Sequence, residues 1–115
     1  MLTPQFSIDL PEIDFKSFAP DAVLEGAPTY RAWQQEAALD GRYRSGVWEM
    51  TPGKYRLSRN GTAEFCLILA GRGVITPDVG EPFEISAGSA FTLKPDFTGT
   101  WSTIETVRKF WVIVS

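Results

Sequence analysis

The sequence predicts an all-β protein, built as an antiparallel barrel or sandwich. From about residue 29 onward, strand-forming runs of roughly five to seven residues recur at regular spacing. Tight-turn signals separate these runs, among them Asp40-Gly41 and Asn60-Gly61. Prolines crowd the preceding 28 residues, which excludes a long helix or a central strand there.

The first 28 residues are expected to form an extended arm with at most one short helical turn. Its prolines are Pro4, Pro11, Pro20 and Pro28. Because the arm also carries apolar side chains that need burial, we expect it to pack on the domain or on a partner chain. The chain is therefore divided into an arm, residues 1–28, and a single β-barrel domain, residues 29–115.

The first domain segment carries conflicting signals. YRAWQQEAAL, residues 30–39, has good helix propensity. However, Asp40-Gly41 is a strong hairpin signal, and RYRSGVWEM, residues 42–50, is a strand-like partner. We therefore predict a β-hairpin over these residues.

Further strands follow, each predicted to end at a glycine- or proline-containing turn. Thr51-Pro52-Gly53 closes one strand, and Arg59-Asn60-Gly61 forms a tight turn after the next. EFCLILA is predicted to end at Gly71, with Gly71-Arg72-Gly73 as a hairpin turn. The remaining predicted strands are GVITPD, PFEIS, AFTLK, GTWSTI and RKFWVIV.

Composition excludes several classes of protein. The chain has 115 residues and a net charge of -3, which fits one domain without the basic excess of a nucleic-acid binder. It has no histidine, so Ser/His/Asp and Cys/His nucleophile pairs and three-histidine metal centres are excluded. With one cysteine, Cys66, it forms no intramolecular disulfide. We see no signal-peptide pattern and no apolar run of about 18 residues, so a cytoplasmic location is expected.

Charge is distributed unevenly along the chain. Residues 1–40 carry a net charge of -5 and residues 41–115 a net charge of +2. Five basic side chains crowd one region: Arg42, Arg44, Lys54, Arg56 and Arg59. An anion or nucleic-acid patch is one interpretation, although no RNA-binding aromatic motif accompanies it. We expect instead that this basic region pairs with the acidic arm, within the chain or across a dimer.

Four stretches of the sequence resemble a known family: GVWEMTPGKYRL (46–57), EFCLILAG (64–71), AGSAF (87–91) and DFTGTWSTIETVRKFWVI (96–113). They are similar to the cupin superfamily, and most to the small single-domain cupins grouped with the cupin domain of (S)-ureidoglycine aminohydrolase. The resemblance implies a double-stranded β-helix, a jelly-roll-like barrel that is commonly dimeric and has a pocket at one end.

Cupins usually bind a metal through two sequence motifs, and this sequence departs from both. By the resemblance, Gly53 opens the first motif, Glu64 stands at its glutamate, and Gly71 closes it. The histidine positions fall on poor metal ligands: Arg59 and Gly61, or Ser58 and Asn60, and in the second motif Gly99. Only Glu64 keeps a metal-capable side chain. We therefore predict no metal cofactor, which disfavours a metal-dependent hydrolase like the manganese-containing aminohydrolase.

Glu64 and Cys66 are two residues apart on a predicted strand, so their side chains share a face. If that face lines the barrel, burial raises the pKa of both groups and leaves Glu64 a proton acceptor near neutral pH. Alternatively, Glu64 lies at the barrel mouth beside an arginine. For Cys66, an inert core thiol is the favoured interpretation.

Alternation places Lys109, Trp111 and Ile113 on one face of a strand. Inside a barrel, Lys109 would act as a base with a lowered pKa or anchor a carboxylate substrate. On an edge strand it would be a solvated residue that discourages aggregation. The candidate aromatic wall residues are Trp48, Tyr55, Phe97 and Trp101, of which Trp101 is the strongest.

The sequence therefore predicts a cupin that binds a small polar or nitrogenous metabolite, with no nucleic-acid or membrane partner, and that forms a homodimer. A metal-independent enzyme would use Glu64 and Lys109 as catalytic residues, and the ligand-binding residues would be Tyr55, Cys66, Trp101 and Trp48. A non-catalytic ligand sensor and a structural dimer with a filled interior are the alternatives. A pocket that holds Glu64 would favour either of the first two functions.

Overall fold

The part of the chain that the structure describes folds into a curled antiparallel sheet of nine strands, and the all-β prediction is confirmed. The computed structural model describes residues 3–115. The strands are β1 (Lys16–Ser17), β2 (Val23–Glu25), β3 (Thr29–Ala38), β4 (Tyr43–Met50), β5 (Gly53–Ser58), β6 (Ala63–Pro77), β7 (Phe83–Ser86), β8 (Ala90–Leu93) and β9 (Thr98–Val114). A single 3-10 turn, Pro20–Ala22, precedes β2. Across the described part of the chain, no helix is long and apolar enough to cross a membrane.

The long strand β9 organises the sheet because it changes partner along its length. On one edge, residues 98–103 pair with β5 and residues 107–114 pair with β4. On its other edge, β9 pairs with β6 over nearly the whole of both strands. β6 in turn pairs with the short strands β7 and β8. This exchange of partners curls the sheet around its interior face, where the core and the candidate site lie.

The predicted β3–β4 hairpin is confirmed, against the helix propensity of its first strand. Leu39, Asp40 and Gly41 all have positive φ angles, of 53°, 56° and 82°. Aspartate and glycine tolerate this conformation better than most residues do. Strand pairing with β4 and burial of Trp33 therefore outweigh the local preference for helix.

Two predicted strand boundaries are wrong. The strand that was expected to end at Gly71 continues to Pro77, and GTWSTI and RKFWVIV are one strand, β9. Gly71-Arg72-Gly73 is a bulged stretch within β6, because the pairing with β9 shifts register there without ending. Gly71 has a φ of 86°, and a side chain at this position would overlap the Thr106 carbonyl oxygen. Glycine at this position therefore lets the backbones of β6 and β9 approach each other closely.

Residues 3–28 of the arm pack on the sheet, whereas residues 1–2 lie outside the described residues, and Pro20–Ala22 is a short helical turn of the kind expected. β1 pairs with β3, and β2 pairs with β5. Trp33 donates a hydrogen bond from Nε1 to the Pro11 carbonyl oxygen at 2.8 Å. The ring of Phe18 stacks on Tyr55 with 4.2 Å between centroids. The arm therefore contributes to the wall of the barrel near the candidate site.

Within the chain, the basic region pairs with the acidic arm at one residue, and pairing across a dimer stays a prediction. Among residues 3–115, Lys54 is the one of its five members that contacts an arm carboxylate, that of Glu25 at 4.0 Å. Arg56 pairs instead with Asp78, and Arg59 points inward to Glu64. Strand alternation separates these side chains onto opposite faces of the sheet, so they do not act as one patch.

The interior face of the sheet carries an apolar core at one end and polar groups at the other. The central core residues are buried: Met50, Tyr55, Ile68, Ile75, Ile85, Trp101 and Val107. Side chains alternate along β6, so Glu64, Cys66 and Ile68 all point inward. Glu64 lies near the end of this row, which places a carboxylate where the core meets the barrel mouth.

Candidate ligand-binding site

A buried ion pair between Glu64 and Lys109 forms the floor of the candidate site. β6 and β9 are neighbouring strands, and each contributes one of these inward-facing side chains. The Lys109 Nζ lies 2.7 Å from Glu64 Oε2, and both residues are only 4% exposed. The same ammonium lies 4.4 Å from the ring centroid of Trp48 and 4.5 Å from that of Trp101. Lys109 is therefore held by a carboxylate and two aromatic rings.

Arg59 completes this ion pair from the β5–β6 turn. Its Nη1 lies 3.1 Å from the other carboxylate oxygen of Glu64, and its Nη2 donates a hydrogen bond to Thr62 Oγ1 at 2.8 Å. Asn60 and Gly61 take positive φ angles of 49° and 93°, which confirms the predicted tight turn and directs Arg59 inward. Each oxygen of Glu64 therefore faces a cation.

The expected rise in the pKa of Glu64 is wrong. Burial by itself raises the pKa of this carboxyl, but the Lys109 ammonium and the Arg59 guanidinium together outweigh burial and lower it. Of the two interpretations that the sequence leaves open for Glu64, the contact with an arginine is the one observed, and the Lys109 ammonium adds to it. Glu64 is thus an ion-paired carboxylate at neutral pH and is poorly placed to accept a proton.

Lys109 is neither the solvated edge residue nor the base with a lowered pKa that the sequence allowed. Burial alone lowers its pKa, but the acidic groups facing it, those of Cys66, Glu64 and Tyr55, raise the pKa above its ordinary value. Near neutral pH only Glu64 among them is ionised, because the pKa values of Cys66 and Tyr55 are both raised to about 12, chiefly by burial. Lys109 is therefore an ammonium at neutral pH.

A cavity of about 380 Å³ opens above this ion pair. It is lined by predicted site residues, Trp48, Tyr55, Glu64 and Lys109, and by residues from four strands and a turn: Ala32, Gln34, Arg44, Leu57, Arg59, Trp111 and Ile113. Its walls combine aromatic rings with a few polar groups, which is typical of small-molecule sites.

Two of the predicted ligand-binding residues do not line this cavity. Cys66 and Trp101 are both fully buried, and they lie behind the ion pair. The Trp101 Nε1 donates to Thr103 Oγ1 at 3.0 Å, so the indole is satisfied within the core. Phe97 lines a different cavity, of about 490 Å³, beside Phe83 and Val79.

Sequence reasoning missed the roles of Arg44, Gln34 and Trp111 in the cavity wall. Trp111 was placed on the same face as Lys109, and that alternation was the signal for it. Arg44 was assigned to a basic surface region, but its register partner on β9 is Ile113, which follows Lys109 and Trp111 on the inward face. Only the pairing of β4 with β9 shows that Arg44 points into the barrel.

Family membership is decided by a match over more than half of the chain. The model of the EutQ-like cupin domain matches residues 37–111. The chain belongs to the EutQ-like cupin family. A comparison with curated protein sequences finds no match.

Solved structures share the fold of this EutQ-like cupin. The EutQ protein of Clostridium difficile is 17% identical with a TM-score of 0.64, and the match covers 76% of this chain and 63% of that one. A DUF861-family protein of unknown function from Pseudomonas syringae pv. tomato is 19% identical with a TM-score of 0.74, covering 89% and 45%. Ethanolamine utilization protein Q of Salmonella typhimurium LT2 is 16% identical with a TM-score of 0.62, covering 97% of each chain.

This chain spans less than two thirds of the first two proteins. At these identities, the likeness shows the fold alone.

The donor set of this EutQ-like cupin does not fit the metal ion that many cupins bind. Glu64, the residue at the family's glutamate position, already has Arg59 and Lys109 against its two oxygens. A divalent cation at that carboxylate would face two positive charges. Among residues 3–115, no three acidic, cysteine or histidine side chains group closely enough to hold a metal ion.

Proposed function

We propose that this protein binds a small polar metabolite in the cavity above the Glu64–Lys109 pair, without a resident metal ion. The observation that carries the proposal is an open cavity whose floor is the buried Glu64 carboxylate, held between Lys109 and Arg59. Such a floor presents fixed charges and hydrogen-bond donors to a ligand. The cavity also argues against a structural dimer with a filled interior.

Binding is supported better than proton-transfer catalysis. A general base needs a free lone pair and a pKa near the working pH. Glu64 has both oxygens engaged by cations, and Lys109 has a raised pKa. These groups are placed to recognise and orient a ligand, which favours a sensing or carrier role.

The cavity is tested by blocking its mouth. Ala32 is an exposed residue on β3 that lines the cavity, and Ala32→Trp would fill the opening. Ala38→Trp is the matched control, because Ala38 is an exposed alanine on the same strand outside the cavity. The wild type is screened against polar metabolites by tryptophan fluorescence, since Trp48 and Trp111 line the site.

We expect saturable binding that is lost in Ala32→Trp and kept in Ala38→Trp. The proposal fails if no metabolite binds, or if every hit binds both variants equally well. Circular dichroism and thermal unfolding of both variants show whether the barrel remains folded.

The finer resemblance to the (S)-ureidoglycine aminohydrolase cupin domain is not favoured as a function. That activity depends on manganese, and the two cations at Glu64 oppose a metal at the corresponding position. The homodimer implied by the same resemblance remains a prediction, which sedimentation velocity tests directly.

A further inference from the structure

We propose that the ligand of this cavity is a small anion, with a carboxylate as the best fit, and that Arg44 at the cavity mouth binds its charge. This inference rests on the proposed function, because it assigns a chemical class to the ligand of the same cavity.

The charges that line the cavity do not balance. Arg44, Arg59 and Lys109 are cationic, whereas Glu64 is the one acidic residue of the lining. Arg59 and Lys109 share that single carboxylate. Among residues 3–115, no carboxylate lies within ion-pair distance of Arg44, and its side chain makes no hydrogen bond there. The cavity therefore has an excess of two positive charges: one arises where Arg59 and Lys109 share Glu64, and the other is Arg44, which has no carboxylate partner there.

This excess is specific to the cavity, because the whole chain has a net charge of -3. A cleft with low-dielectric walls focuses such a local field and attracts small ions of the opposite sign. The planar guanidinium of Arg44 presents paired donors that match the two oxygens of a carboxylate. A neutral or cationic ligand would leave this charge uncompensated.

A further donor lies deeper in the cavity. The Tyr55 hydroxyl makes no hydrogen bond within the described residues, and its raised pKa of about 12 keeps it protonated. An unmatched donor favours a ligand rich in acceptor oxygens. Trp48 and Trp111 form apolar walls, so the body of the ligand can be flat or hydrocarbon.

The test compares carboxylates with their uncharged amides. Benzoate and benzamide form one pair, and succinate and succinamide form another, so that each pair differs mainly in charge. Isothermal titration calorimetry of the full chain measures the affinity for all four compounds. We expect at least one carboxylate to bind about tenfold or more tightly than its amide, and to weaken as salt is added.

Arg44→Gln should remove this preference: the affinity for the carboxylate should fall about tenfold, and the affinity for the amide should not change. Arg44→Lys should retain part of the preference for the carboxylate, because lysine keeps the positive charge but lacks the paired donors of the guanidinium. Arg72→Gln is the control, since Arg72 is an exposed arginine that pairs with Glu105 outside the cavity. Thermal unfolding confirms that each variant folds.

The inference is overturned if carboxylate and amide bind equally, or if Arg44→Gln weakens a carboxylate no more than Arg72→Gln does. It is also overturned if the metabolite screen gives ligands blocked by Ala32→Trp while neither carboxylate binds; the proposed function would then stand. If nothing binds in either experiment, both proposals fail together.

Discussion

Lys109→Met removes one of the two cations that hold the buried Glu64 carboxylate. Methionine keeps most of the volume of the lysine side chain, so the substitution measures mainly the effect of losing the positive charge. Breaking a buried ion pair by removing one partner destabilises a protein by about 3–5 kcal/mol. Because Arg59 still lies 3.1 Å from the other carboxylate oxygen, we expect a loss near the lower limit, about 3 kcal/mol in the free energy of unfolding.

The same substitution should reverse the pH dependence of stability. In the wild type the pKa of Glu64 is below its unfolded value of 4.5, so its stabilising contribution is present above pH 4.5 and is lost as the pH falls. Without Lys109, burial is opposed mainly by Arg59, and the pKa should rise above 4.5. The folded variant then binds the proton more tightly than the unfolded chain, so its stability falls as the pH rises above 4.5.

Urea unfolding followed by tryptophan fluorescence, at several values between about pH 4 and pH 8, measures both effects. Lys54→Met is the matched control, because Lys54 pairs with the exposed Glu25 at 4.0 Å and should lose less than about 1 kcal/mol. Glu64→Gln combined with Lys109→Met should recover part of the loss, since no buried carboxylate remains. The reasoning is refuted if Lys109→Met is as stable as the control and keeps the pH profile of the wild type.

Three further predictions concern other parts of the barrel. Glu49→Gln removes a largely buried carboxylate that two arginines contact at 2.7 and 2.9 Å, and should cost about 2–3 kcal/mol in urea unfolding. Gly71→Ala should cost about 2 kcal/mol or more, because its positive φ and the Thr106 carbonyl both oppose a side chain; Gly61→Ala, with a φ of 93° but open space around it, should cost only about 1 kcal/mol. The buried Cys66 thiol, with its pKa raised to about 12, should react with a disulfide reagent near pH 8 only after denaturant is added.

Each of these predictions has a result that contradicts it. If Glu49→Gln were as stable as the wild type, water would be solvating the charges of Arg31 and Arg108 in place of the Glu49 carboxylate. Equal losses at the two glycines would mean that the backbone near Gly71 moves aside at little cost. Rapid labelling of native Cys66 would show that the core opens readily around it.

Much of the fold followed from local chemistry. The Asp40-Gly41 and Asn60-Gly61 turns form where the sequence places them, because positive φ is a local requirement. The expected end of a strand at Gly71 was wrong because a glycine terminates a strand only if no partner continues beside it. β9 does continue there, and the glycine serves instead to let two backbones approach.

The site was predictable in part. Period-two alternation placed Glu64 with Cys66 on one strand face and Lys109 with Trp111 on another, and the structure shows that both faces point inward and that Glu64 contacts Lys109. Alternation along one strand could not show that the Arg44 side chain points into the cavity, because that depends on how β4 pairs with β9. The direction of the pKa shift at Glu64 stayed open between two alternatives for the same reason, since it depends on cations contributed by other elements.

The sequence by itself determined that the protein is all-β, where its tight turns lie, and that a carboxylate and a lysine occur in strands of a chain without any histidine. These properties depend on residue types and on spacing along one strand. Tertiary structure decided that Lys109 and Arg59 share Glu64, and that Arg44 is left facing the cavity without a carboxylate. Electrostatic energy depends on distances between charges, and curling one sheet around β9 sets those distances across strands far apart in sequence.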